Sequence, residues 1–210
     1  MKHIIYDFEF NTAFKIDRST KRLLKGNAHP DCPQEIIEIG AVRIDENLEI
    51  EDTFQLMVKP KLYMKMHPKI RQKTKITCDE LQTGIPFREA IEAFREWINE
   101  EEVIMGSWGI DDHQELLRNC RFHGIETEWF QHHLDIQRLC SRHMNLAKGQ
   151  QVGLKKAVQY FNIMEDTSFH KALHDAIYTA HVFRSLQQYD DDFDNTGDDH
   201  DGLLRCTVNG

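Results

Sequence analysis

The sequence predicts an α/β domain built on a mixed β-sheet. Three strand-like segments come first, at residues 4–10, 35–44 and 51–58, and from Pro86 onward short apolar strands alternate with amphipathic helices. The early strands suit an antiparallel meander, whereas strands joined through helices tend to run parallel. The chain has 210 residues, of which 40% are hydrophobic and 29% charged, so a sizeable core of the usual globular composition is expected.

The early strands are predicted by β-branched and aromatic runs on either side of turn residues. Residues 35–44 and 51–58 flank the turn-forming residues 45–47 and are expected to pair as a hairpin. The connection over residues 11–34 has turn signals and is expected to be a long loop. Its part from 11 to 27 carries five basic residues and one acid, which fits either a solvated loop or a loop that contacts phosphate.

A second basic segment follows the hairpin. Residues 59–75 contain seven lysines and arginines, no acid, and several apolar residues among them, including Tyr63 and Met64. Alternating basic and apolar residues suit a strand of nucleic acid, through phosphate contact and base stacking. A solvated loop is the competing interpretation.

The helices are predicted from apolar residues that recur at helical spacing. Phe87, Ile91, Phe94 and Ile98 would share one face of a helix. Thr77 and Glu80 have the spacing of a capping box and predict a short helix before it. Further helices are expected after Asp111 or Asp112, over residues 154–161, and from Phe169 to about Tyr189, with short strands at 103–105 and 134–136.

The net charge of −9 is concentrated near the C-terminus. Residues 190–201 contain seven aspartates, and the segment 190–210 accounts for −6 of the total. This composition predicts a folded domain over residues 1–189 and an acidic, disordered tail over 190–210. The charge of the domain itself is modest, so composition does not exclude a polyanionic partner.

The cysteines and the apolar runs indicate the compartment. The five cysteines are widely spaced and form no Cys-x-x-Cys pair, so neither a disulfide framework nor a zinc ribbon is predicted. No apolar run approaches the roughly 20 residues of a membrane span, and the first residues lack a signal-peptide pattern. A reduced, cytoplasmic protein without a membrane partner is the simplest expectation.

The first strand carries a pair of carboxylates. Asp7 and Glu9 follow the apolar run Ile4-Ile5-Tyr6 at spacing i and i+2, which places both on one face of a strand. Two like charges on a buried face cost several kcal/mol unless a partner offsets them. A hard divalent cation, which prefers oxygen ligands, is one such partner. An edge strand with two solvated acids is the alternative.

Two later aspartates could complete a cation site. Asp112 lies at a strand-to-helix junction, where it could instead be a plain helix cap. Asp175 lies inside the last predicted helix, five residues after His170. Five residues correspond to about 140° of helical rotation, so His170 and Asp175 would lie on either side of a site rather than on one face.

Taken together, three segments resemble the motifs of the DEDDh 3′–5′ exonucleases: Asp7-Phe8-Glu9, Trp108-Gly109-Ile110-Asp111-Asp112 and His170-Lys171-Ala172-Leu173-His174-Asp175. The similarity runs in order over about residues 3–187 and is closest to the KapD-like and Eri-like branch, in which Trp-Gly-x-x-Asp marks the second motif. The resemblance implies an RNase H-like fold with a mixed five-stranded sheet flanked by helices.

The resemblance also implies a site for two metal ions, Mg²⁺ or Mn²⁺. Its ligands would be Asp7, Glu9, Asp112 and Asp175, and the catalytic residues would be Asp7, Glu9 and His170, the last as general base. Asp111 competes with Asp112 for the third position, although the spacing from Trp108 favours Asp112.

Contacts to the 3′-terminal nucleoside are expected from residues next to the metal ligands. The candidates are Glu9, Phe10, Asn11 and His170, while Phe87 could either contact the nucleoside or belong to the core. Two residues depart from the family pattern: Asn11 replaces a threonine, and His174 replaces an acid that often precedes the last aspartate.

The expected function is removal of 5′-mononucleotides from the 3′ end of RNA or single-stranded DNA. The branch resemblance favours RNA as the nucleic-acid partner, because a 2′-hydroxyl can be recognised close to such a site. Two alternatives remain at this point. One is a nucleic-acid-binding module without catalysis, and the other is a phosphodiesterase of very short oligonucleotides.

Overall fold

The computed structural model describes residues 2–99, 103–130, 132–165 and 167–196, with side chains as far as residue 188. Eight strands are present in this part of the chain: β1 (Lys2–Thr12), β2 (Phe14–Ile16), β3 (Leu23–Lys25), β4 (Gln34–Ile44), β5 (Ile50–Lys59), β6 (Ile85–Pro86), β7 (Val103–Ser107) and β8 (His133–Asp135). Six of them form one sheet in the order β6-β5-β4-β1-β7-β8, and β2 pairs with β3 in a separate hairpin.

The main sheet is mixed, with β1 near its centre. β1 runs antiparallel to β4 and parallel to β7, while β8 continues the parallel half beside β7. The predicted α/β class with a mixed sheet is therefore confirmed. The sheet has six strands rather than five because the two-residue strand β6 adds to the edge beside β5. A strand of that length has too few residues to show a two-residue period.

The described residues form seven α-helices: α1 (Pro68–Thr74), α2 (Cys78–Thr83), α3 (Phe87–Ile98), α4 (Asp111–Phe122), α5 (Ile136–His143), α6 (Leu154–Tyr160) and α7 (Ala172–Thr196). The capping box predicted from Thr77 and Glu80 is present at the start of α2. The apolar face predicted for α3 is buried. Within the described ranges, none of these helices is long and apolar enough to cross a membrane.

Three segments differ from the sequence-based expectation. The connection predicted as a loop over 11–34 contains the end of β1 and the hairpin β2–β3, whose three-residue strands are too short to show a two-residue period. The basic segment 59–75 contains helix α1. The last helix begins at Ala172 rather than Phe169, because His170 has φ +69 and this left-handed backbone cannot continue a helix.

The last helix also ends later than predicted. Helix α7 continues to Thr196, past Tyr189, where the sequence predicts the domain to end. The remainder of the predicted acidic tail, residues 197–210, lies outside the described residues.

The two faces of the sheet pack against different helices. Along β1, Ile4, Tyr6 and Phe8 are buried in a cluster with residues of α3 and α4. Ile5 points to the opposite face, where it packs in a cluster with residues of α5, α6 and α7. Because side chains alternate along a strand, the side chains of odd number that follow Ile5 face α7.

Gly40 allows the start of α7 to lie directly on the sheet. This residue pairs with Asp7 across β1 and β4. A Cβ atom at position 40 would lie 2.0 Å from the Leu173 nitrogen and 2.1 Å from the Ala172 carbonyl carbon. These are backbone atoms, which cannot rotate away as a side chain can. The close approach of α7 to β4 at this point therefore requires glycine.

We expect Gly40→Ala to lower the free energy of unfolding by about 1–3 kcal/mol, the usual cost of overpacking a rigid site. Urea unfolding followed by circular dichroism would measure it. Gly153→Ala is the matched control, because a Cβ there meets nothing within 4 Å. Equal stability of the two variants would show that α7 does not depend on this approach.

Candidate active site

Three carboxylates meet on the face of the sheet that α7 covers. Asp7 and Glu9 come from β1, and Asp175 comes from the first turn of α7. One carboxylate oxygen from each lies within 4.8 Å of the other two. The i, i+2 spacing on β1 therefore places Asp7 and Glu9 on one face, and the close approach of α7 at Gly40 brings Asp175 to them.

Backbone hydrogen bonds hold the start of α7 in this position. The His170 N–H donates to both carboxylate oxygens of Asp175, at 3.3 and 3.2 Å. The Ala172 N–H, at the first residue of the helix, lies 3.5 Å from the Glu38 carboxylate. Glu38 is 1% exposed and also accepts a hydrogen bond from the Gln55 amide at 2.8 Å. Two acids thus accept from the N-terminal end of α7, where N–H groups have no partner within the helix.

Asp112 approaches the same strand from the start of α4. Its Oδ1 atom accepts a hydrogen bond from the Phe8 N–H at 3.1 Å, at the residue between Asp7 and Glu9. Asp112 is only 8% exposed, whereas its neighbour Asp111 is exposed to solvent. Asp112 lies outside the group of three mutually close carboxylates, although its charge acts on Asp7.

The pKa values of the carboxylates are raised by burial and by repulsion between their charges. Burial, followed by the charges of Asp112, Asp175 and Glu9, raises the pKa of Asp7 well above its usual range. Burial is also the main cause that raises the pKa of Glu9 to about 7, of Asp112 to about 7 and of Asp175 to about 6. The protein alone does not supply enough positive charge to keep these groups ionised at low cost.

Lys73, in the last turn of α1, is the cation that counters this charge. Its ammonium lowers the pKa of Asp7, Glu9 and Asp175. Sequence analysis placed Lys73 in a basic segment but did not assign it to the site, since the packing of α1 beside β1 is not visible in the sequence. Sequence analysis also did not assign Glu38 to the site. Its position was a usable signal, because an acid inside the apolar run of β4 needs a partner.

His170 lies at the entrance to the carboxylate cluster. Its side chain is exposed, and its backbone, not its ring, donates to Asp175. Partial desolvation, followed by the charge of Lys73, lowers the pKa of the His170 ring. The imidazole is therefore mainly neutral at pH 7, which is the form that can accept a proton.

The expected substrate contacts are distributed differently from the prediction. Phe10 is partly buried, and its ring lies edge to face with that of Phe8, packed against the cluster that β1 forms with α3 and α4. Asn11 is fully buried, and its amide donates to the Tyr63 and Lys65 carbonyls at 2.7 and 3.0 Å. Its Oδ1 atom accepts from the His67 N–H at 2.9 Å. The side chain of Asn11 has no accessible surface left for a substrate, and its role is instead to hold residues 63–67.

Phe87 belongs to the core rather than to the site. It is 4% exposed and its ring stacks on His123, with centroids 4.7 Å apart. Of the two interpretations of Phe87, contact with a nucleoside and packing in the core, the structure supports the second.

The donor set fits a hard divalent cation. All the clustered groups are carboxylates, and oxygen is the ligand type that Mg²⁺ and Mn²⁺ prefer. Their raised pKa values indicate that positive charge at this position would stabilise the ionised forms. The side chains of Asp7, Glu9 and Asp175 can hold such an ion, and Asp112 stands beside them.

Comparisons with known proteins agree with this geometry. A family model described as "Exonuclease" matches residues 4–183. The Bacillus subtilis (strain 168) protein named "Probable 3′-5′ exonuclease KapD" is 30% identical over 156 residues, which cover 73% of this chain and 74% of that protein.

Solved structures show the same fold. The nuclease domain of 3′hExo, a DEDDh family member bound to rAMP, superposes with a TM-score of 0.75 at 20% identity, covering 90% of this chain and 92% of that one. Escherichia coli exonuclease I in complex with a dT13 oligonucleotide superposes with a TM-score of 0.68 at 14% identity, over 93% of this chain and 43% of that one. Because the family model spans most of the domain, and the relative from B. subtilis matches over most of its length, the chain belongs to the 3′–5′ exonuclease family.

Proposed function

We propose that this protein removes nucleotides one at a time from the 3′ end of RNA or single-stranded DNA and releases 5′-mononucleotides. The observation that carries the proposal is that carboxylate oxygens of Asp7, Glu9 and Asp175 lie within 4.8 Å of one another. Asp112 accepts a hydrogen bond from the same strand as Asp7 and Glu9. Such a cluster is costly without a bound cation and useful with one, since phosphodiester hydrolysis requires stabilisation of negative charge.

Asp7, Glu9, Asp112 and Asp175 would hold two divalent ions, Mg²⁺ or Mn²⁺. When bound, the ions would supply Lewis acidity that makes water a better nucleophile and stabilises the departing 3′ oxygen. Asp7 lies at the centre of the cluster, because the charges of Asp112, Asp175 and Glu9 all act on it. Asp7 would therefore be a central member of the set of residues that hold the ions.

His170 would accept a proton from the attacking water. The residue is exposed, and the lowered pKa of its ring keeps the imidazole mainly neutral at pH 7. The hydrogen bonds from its own N–H to Asp175 hold residue 170 next to the metal ligand. Phe10, partly exposed one residue after Glu9, would pack against the 3′-terminal nucleoside.

RNA is the favoured substrate, with single-stranded DNA as the second. The support is the fold shared with a 3′-exonuclease whose structure shows recognition of a histone mRNA stem-loop, at a TM-score of 0.70 and 19% identity. The likeness to exonuclease I with dT13 keeps DNA in the proposal.

Incubation of 5′-labelled RNA and DNA strands with Mg²⁺ or Mn²⁺ tests the reaction directly. We expect a ladder that shortens from the 3′ end, with 5′-mononucleotides as the product.

Asp112→Asn should lower kcat by at least ~100-fold, because several kcal/mol of charge stabilisation are lost. The exposed neighbour gives the control, and Asp111→Asn should keep nearly full activity. If Asp111→Asn lost activity and Asp112→Asn did not, Asp111 rather than Asp112 would be the metal ligand.

His170→Asn should lower kcat by about 10²–10⁴-fold, the usual contribution of a general base. Asparagine is the suitable replacement because it tolerates the left-handed backbone at residue 170. Binding of Mn²⁺, measured by the shift in melting temperature, should be retained. A variant with unchanged kcat between pH 6 and pH 8 would remove His170 from the mechanism.

Asp7→Asn should have opposite effects on stability in the absence and presence of metal. In EDTA it should melt at a higher temperature than the wild type, because the variant lacks a carboxyl group whose ionised form is disfavoured by burial and by its acidic neighbours. With Mn²⁺ at ~100 times its dissociation constant, the wild type should gain about 2.7 kcal/mol. The variant should gain little. Equal gains for both proteins would place the ion elsewhere.

A further inference from the structure

A groove opens between the β2–β3 hairpin and the start of α1. Its volume is about 240 Å³, and its lining includes Thr12, Leu23, Leu24, Lys25, His67 and Lys69. Thr12 is the last residue of β1, three residues beyond Glu9. At 3.3 Å per residue this end of the groove is roughly 10 Å along the strand from the carboxylate cluster.

Lys25 and Lys69 line the groove, and the two segments that contribute them are rich in basic residues. Residues 13–28 contain five lysines and arginines and one acid, and residues 59–75 contain seven and no acid. The one acid, Asp17, accepts hydrogen bonds from the Ser19 and Thr20 N–H groups within its own turn. In a protein with a net charge of −9, this concentration of cations at one place favours a polyanion.

Apolar side chains are exposed in the same two segments, and Leu24 among them lines the groove. Ile16, Leu24 and Met64 are 53%, 48% and 43% exposed. They are half of the large hydrophobic side chains that are exposed in the described part of the chain. Exposed apolar groups beside cations suit a single strand of nucleic acid, whose bases are free to contact them. A duplex would keep its bases stacked inside.

The groove is built on a rigid frame. The Glu35 carboxylate accepts hydrogen bonds from the N–H groups of residues 61–63, at 2.6 to 2.9 Å. Asn11 holds residues 63–67 from the other side. The ring of Phe14, on the hairpin, contacts the ring of His67 edge to face at 5.3 Å. Binding here would therefore cost little ordering of the protein.

We propose that this groove binds the nucleotides that precede the 3′-terminal one in a single-stranded substrate. Lys25 and Lys69 contact their phosphates, and Leu24 contacts a base. The inference rests on the proposed exonuclease function and adds to it: substrates that reach the groove are degraded faster than those too short to do so, and single strands are preferred over duplexes.

The double variant Lys25→Gln/Lys69→Gln tests the phosphate contacts. With a 5′-labelled oligouridylate that fills the groove, kcat/KM should fall ~10-fold or more. The slope of log(kcat/KM) against log of the salt concentration should become shallower by about 1.4, because two contacts to a single strand are lost. With the dinucleotide UpU, kcat/KM should not change. The control with equal loss of charge is Arg142→Gln/Lys148→Gln, at exposed positions in and after the last turn of α5.

Leu24→Ser tests the base contact separately. Affinity for the oligouridylate should fall ~3- to 10-fold, while affinity for an abasic strand of equal length should stay the same. The salt dependence should not change, because no charge is removed. A loss of equal size with both strands would contradict a contact between Leu24 and a base.

The outcomes separate this inference from the proposed function. If the wild type cleaves neither oligouridylate nor UpU, the proposed function is wrong. The groove is still tested in that case, because fluorescence anisotropy measures binding of the labelled strand without hydrolysis. If the lysine variant binds and cleaves the oligouridylate like the arginine–lysine control, the groove does not bind substrate. An equal loss on UpU would also contradict the inference.

Discussion

The rest of the structure must hold together carboxylates that repel one another between β1 and α7. Asp7 and Glu9 leave the strand on one face, and Asp175 is brought over them, so that three negative charges share a space of a few ångströms. Nothing in an ordinary core would favour this arrangement. The surrounding elements bring the acids together, so that a metal binding here would find its ligands already assembled.

Several weak interactions, rather than one strong one, keep the carboxylates close together. Gly40 allows the α7 backbone to rest on β4. The first N–H groups near α7 are divided between Glu38 and Asp175, so the end of the helix that carries a partial positive charge faces the cluster. Lys73 adds a full charge from α1. Each contribution is modest, and together they offset part of the cost of desolvation.

The sequence predicted the parts of the site that depend on local geometry. The alternation of a strand predicted that Asp7 and Glu9 share a face, and a capping box predicted the start of α2. The part played by Asn11 could not be predicted in this way, because its partners are more than 50 residues away in the chain. For the same reason Lys73 was recognised only as one of many cations. Contacts between distant segments are set by the packing of whole elements, which no local pattern encodes.

The loop that Glu35 holds is folded around an anion of its own. The carboxylate occupies the N–H groups of residues 61–63, which would otherwise be a ready site for a phosphate. An anion that this loop contacts would therefore be bound by side chains rather than by these N–H groups. The backbone path is set from inside the protein, and the surface residues can change without altering it. The loop can thus acquire a new binding preference by substitution while its fold stays the same.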